Sequence, residues 1–163
     1  LKRPLFLWAS SFFIAVSMYY ALWLVMPHNQ VFCAMFRLIC YHYSYPVQYI
    51  LIPCSFYGIL ATLFAERFAA PRLPRQLLLT ALIIVLTILI SSPFGGMLWT
   101  FHDMEAGFYP SAWPSILFED GSMRGLRIGW FIILGSIPYN ILGSVVCFFL
   151  TRTGSDLFRP IED

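Results

Sequence analysis

The feature that most narrows what this chain can become is the run from Leu5 to Met26, about twenty-two residues without one charged side chain. An α-helix needs roughly twenty apolar residues to cross a hydrocarbon core about 30 Å thick. Three further apolar runs follow, Val47 to Ala65, Leu77 to Trp99 and Ile128 to Leu150. Of the whole chain, 60% is hydrophobic and 11% charged, whereas a soluble domain is about one quarter charged. Ten Lys and Arg with eight Asp and Glu cannot cover the surface that a domain of this size leaves wet. The solvent for most of that surface is therefore lipid. The expected fold is an all-α integral membrane protein: one membrane domain over residues 1–163, a four-transmembrane-helix bundle with spans near 5–26, 47–65, 77–99 and 128–150.

Lys2 and Arg3 ahead of the first run resemble the start of a signal peptide. The apolar stretch is too long for one, and no A-x-A-like cleavage site precedes Pro27. It is expected to be a retained anchor, and a first residue of Leu rather than Met is compatible with further residues ahead of position 1. Prolines and glycines should interrupt the later spans: Pro53 kinks the second, Ser91 to Gly96 breaks or kinks the outer end of the third, and Pro138 interrupts the fourth.

Positive charge sets the expected orientation. With the N-terminus inside, Lys2, Arg3, Arg67, Arg72, Arg75, Arg152 and Arg159 are cytoplasmic, and Arg37, Arg124 and Arg127 are outside, seven against three. Trp23, Trp99, Trp113 and Trp130 then fall near the outer boundary and Trp8 near the inner one, as interfacial anchors do. Both termini are thus expected in the cytoplasm, and the absence of an N-x-S/T sequon is compatible with a bacterial inner membrane.

Two segments outside the spans belong to the outer face. Residues 29–43 are too short and too polar to span, and their apolar and polar residues segregate as in an amphipathic helix lying in the interface. Residues 101–127 form an acidic, aromatic loop holding half of the acidic residues. In it, His102, Asp103 and Glu105 are the catalytic candidates, because an imidazole with carboxylates can serve as general acid and base or ligate a metal. His102 and Glu105 would share a helical face and Asp103 would point about 100° away, so no metal site and no cofactor is expected. Phe108, Tyr109 and Trp113, among prolines, read as a stiff outer cap.

The fourth run carries the more specific pattern. Ser136, Asn140 and Ser144 recur every four residues, with Gly135 and Gly143 on the adjoining flank. Such small, polar faces let membrane helices approach closely and hydrogen-bond across, with roughly 0.6 to 2 kcal/mol per bond. These five residues are the expected helix-packing or partner-binding face. Cys54 and Cys147 lie in apolar runs as packing residues. Cys33 and Cys40 would share a helical face but sit about 10 Å apart, too far for a disulfide.

Motifs for an NTPase, a serine hydrolase, a zincin or a c-type haem protein are absent. Every charge lies near the end of a span, which argues against a self-sufficient ion-coupled transporter. A net charge of +2 without a basic run gives no reason to expect a nucleic-acid partner. The leading expectation is a non-enzymatic integral membrane subunit in a transport or envelope assembly, its partners being the lipid bilayer and other membrane proteins or further copies of itself. A membrane enzyme or lipid-handling protein with an outer His/Asp/Glu site is the first alternative. A small pore or permease lined by Asn140 and the proline-broken ends at Pro53 and Pro93 is the second.

Overall fold

A computed structural model describes residues 2–25, 46–68, 72–109, 114–127 and 137–158. These residues are helical apart from turns, with no strand among them. Four long helices emerge: α1 (Lys2–Val25), α2 (Pro46–Phe68), α3 (Leu73–Glu105) and α4 (Ile137–Leu157). A shorter hairpin helix lies between the last two, a π-helix over Ile116–Gly121 that continues as α-helix over 122–127. In lipid a helix is the economical choice, because every backbone N–H and C=O finds its partner within the segment.

Side-chain contacts fix an up-down-up-down arrangement. Trp8 on α1 donates its indole N–H to Ser55 of α2 at 3.2 Å, and a methyl group on Gly58 would sit 3.0 Å from Trp8 Cβ. At the far end of this pair Tyr19 packs with Ile50 and Cys54, so the two helices run antiparallel. The rings of Phe56 and Phe94 tie α2 to α3 at 5.1 Å. On α4, Ser155 donates to the carbonyl of Ala65, and Gly154 lies against Leu7. Leu7, Tyr57, Ala61 and Ile83 form the inner core.

At the end of the bundle where α1 begins, Arg3 donates to the carbonyl of Phe158 and Gln76 to that of Phe68. Lys2, Arg3, Arg67, Arg72, Arg75 and Arg152 therefore gather at one end. Outward faces are apolar, with Phe13, Leu63, Leu78, Val145 and Phe149 all exposed, the inverse of a soluble surface. Among the described residues three helices are long and apolar enough to cross a membrane, within Lys2–Ala21, Val47–Phe68 and Leu73–Glu105.

The fourth expected span is not established by the described residues. Its first part, 128–136, lies outside them, and α4 continues past Leu150 to Leu157. Arg152 and Asp156 make that last part more polar than the run the hydropathy pattern outlines. The expected interfacial helix at 29–43 also lies outside the described residues.

Two expectations are corrected. Of the break or kink expected at Ser91 to Gly96, the break is overturned: α3 runs unbroken for 33 residues with Pro93 inside it, as helices in lipid tolerate when neighbours re-satisfy the freed groups. Nor is 101–127 a loop throughout. α3 reaches Glu105 and is closed by Gly107 at φ +81. Gly107 N–H bonds to Met104 O and Phe108 N–H to Asp103 O, both at 3.0 Å, the paired bonds of a Schellman cap. The chain then turns back as the hairpin helix.

Candidate functional site

Glycines dock the hairpin helix on α3. A Cβ on Gly125 would lie 1.9 Å from the carbonyl oxygen of Ser92, and one on Gly96 would lie 2.2 Å from that of Gly121. Neither position accepts any side chain. Ser92, Gly96 and Thr100, spaced by four, thus form a ridge without bulk that receives Gly121 and Gly125, also spaced by four. Because Gly121 faces Met97 and Thr100 while Gly125 faces Ser92 and Gly96, the hairpin helix runs antiparallel to α3.

That backbone contact places Arg124 beside the end of α3. Its guanidinium donates to Asp103 Oδ2 at 2.8 Å and to the hydroxyl of Tyr109. The same group lies 5.0 Å from the centroid of the Trp99 ring and 5.8 Å from that of Tyr109. A planar cation can serve a carboxylate at its edge and rings at its face together. One turn away, the Tyr49 hydroxyl of α2 meets Nδ1 of the buried His102 at 3.1 Å.

The structure therefore separates the three polar candidates. His102 is turned to α2, Asp103 is held by Arg124, and Glu105 is exposed. His102 and Glu105 border one shallow hollow with Gln48 and Phe101, but Asp103 takes no part in it. Among the described residues no group of three or more His, Cys, Asp or Glu is placed to hold a metal. Phe108 follows the Schellman cap and is 77% exposed, Tyr109 is drawn under Arg124, and Trp113 lies outside the described residues.

Gly135 and Ser136 also lie outside the described residues, as does the side chain of Asn140. Gly143 and Ser144 border a cavity of about 230 Å³ inside the bundle. α3 contributes its Ile84-to-Trp99 face to this cavity, α1 Ser11 and Met18, and α2 Cys54 and Tyr57. A methyl group on Gly143 or on Gly95 would meet nothing within 4 Å. The hairpin helix takes the Ser92–Gly96–Thr100 ridge for itself, and on α4 Gly143 fronts open space. Below the cavity Tyr57 joins α2 to α4. Its hydroxyl bonds to Cys147 O at 3.1 Å and to Thr151 Oγ1 at 2.9 Å. A carbonyl only accepts, so Tyr57 donates to Cys147 and Thr151 donates to Tyr57.

Sequence reasoning missed the glycine lock, Arg124, Tyr49 and the Tyr57–Thr151 bond. The four-residue spacing of Gly121 and Gly125 is a readable signal for close helix approach; Arg124 gives none beyond its charge. Among the described residues, fold and site together define a helical bundle with three helices long and apolar enough to cross a membrane. Comparison with known proteins returns no match, whether with family models, curated proteins or solved structures.

Proposed function

We propose that this protein is a non-enzymatic integral membrane subunit that crosses a bacterial inner membrane four times, keeps both ends in the cytoplasm, and docks partner membrane proteins at its outer end. The observation that carries this reading is the hairpin helix. Locked backbone to backbone on α3, it is a rigid platform that turns Phe118, 60% exposed, and Met123, 53% exposed, outward beside Glu119 and Asp120. Large apolar groups next to polar ones on a rigid support suit partner docking, since little ordering entropy is lost on binding.

Four crossings are supported by α4, whose 21 residues measure about 31 Å and lie antiparallel to α1. Gathered basic residues at the end where α1 starts and α4 finishes support a cytoplasmic placement of that end. The outer-face enzyme is less well supported, because Asp103 is held by Arg124 apart from the hollow that His102 and Glu105 border. Benzoylphenylalanine in place of Phe118 should crosslink to a second protein in native membranes, and the same group at the lipid-facing Leu78 should not. If neither Phe118 nor Met123 gives a protein adduct, the subunit reading fails.

A further inference from the structure

We infer that the cavity within the bundle is a binding site for one hydrocarbon chain of a bilayer phospholipid. Its capacity is sufficient: dry apolar cavities of about 150 Å³ already take up benzene, and this one measures about 230 Å³. It is also long, because the lining of α3 from Ile84 to Trp99 covers about 22 Å of helix axis. An α-helix about 10 Å across or wider passing along that length would displace several times this volume. A partner helix is therefore excluded as the occupant, whereas a single extended chain is slender enough.

The lining points the same way. Three of its serine hydroxyls are turned into the helices that carry them: Ser11 donates to Trp8 O at 2.9 Å, Ser91 to Ile88 O at 3.3 Å, and Ser92 to Ile88 O. The Tyr57 hydroxyl is taken up by Cys147 and Thr151 of α4 and that of Tyr49 by His102, so these groups present mostly carbon to the cavity. Thr87 also lines it, with a buried hydroxyl that has no partner, and among the described residues no carboxylate, ammonium, guanidinium or imidazole borders the space. Water would find few partners there. Small residues on both walls, Gly95 on α3 and Gly143 on α4, make the room.

The test uses the full chain exchanged into vesicles of palmitoyl-oleoyl-phosphatidylcholine, then released in mild detergent and weighed by native mass spectrometry. The wild-type protein should retain one phosphatidylcholine. The Gly95→Leu/Gly143→Leu chain, in which two side chains fill the space, should retain at least fivefold less. Thr87→Val should retain as much as wild type. Equal retention by the filled variant, or no retention by the wild type, overturns the proposal. Loss of retention in Thr87→Val overturns it as well, because the ligand would then be one with a polar group. So does a wild-type protein that carries a free fatty acid or an isoprenoid in place of the phospholipid. Should the filled variant not fold, wild-type protein in vesicles carrying a diazirine on the palmitoyl chain decides. Labelling at Met18 or Cys54 is expected, and labelling confined to outward residues such as Leu78 and Leu82 overturns it. None of these outcomes depends on whether Phe118 finds a protein partner.

Discussion

Single side chains hold this bundle together where it has least lipid to exploit. Between membrane helices no hydrophobic force acts, so packing and hydrogen bonds decide. Tyr57 is the clearest instance. Replacing it with Phe removes one proton from the interface but leaves Thr151 an alternative, the carbonyl of Cys147 four residues before it. Tyr57→Phe should therefore lower stability by only about 1 kcal/mol, read as a modest drop in melting temperature in detergent. Tyr57→Ala also empties packed volume and should cost about 3 to 5 kcal/mol. Arg124 differs in that its shape carries as much as its charge. Arg124→Lys keeps an ion partner for Asp103, but loses the second donor for Tyr109 and the flat contact with Trp99. A loss of about 1 to 2 kcal/mol is expected, and circular-dichroism melts of the two proteins at low and high salt would show most of it surviving the salt.

The best-defined element is α3 with the hairpin helix on its flank. Adding one methyl group at Gly125 drives it into a backbone carbonyl, which no rotamer can relieve. Gly125→Ala should cost more than the about 1 to 3 kcal/mol typical of overpacking and should free the hairpin helix, measured as faster hydrogen exchange over 115–127. Ala at Gly95, one residue before Gly96, meets no atom and gains about 1 kcal/mol of helix propensity. The same assay should find it neutral or stabilising. At this level the sequence is legible in part. Length and hydropathy outline three helices that can span, but they end the third at Trp99, short of the Glu105 that α3 reaches. Pro93 and the Gly95–Gly96 pair read as a break because local propensity ranks them so, and lipid with a tightly docked neighbour overrides that ranking. Acidic and aromatic residues at 101–127 read as a loop because a helix held by glycines shows little apolar periodicity. Which way His102 and Asp103 face could not be read at all: it depends on Tyr49 and Arg124, 53 and 21 residues away.

At the scale of the molecule the arrangement fixes which residues share a side of the membrane. With the four native cysteines replaced by Ala, Lys2→Cys and Arg72→Cys should react from one face of sealed vesicles with an impermeant maleimide, and Glu105→Cys from the other. Labelling of Arg72→Cys and Glu105→Cys from the same face would falsify the bundle.

The spacing of contacts along the chain also carries a consequence for how the protein is made. Asp103 and Arg124 are 21 residues apart, so α3 and the hairpin helix can join while later residues are still being synthesised. Tyr57 and Thr151 are separated by 94 residues, Arg3 and Phe158 by 155. Such distant pairs form late, after the intervening chain has been confined. Until Phe158 has emerged, the first three long helices stand with the side awaiting α4 open, and nascent bundles stalled short of that point expose the apolar surface that α4 covers.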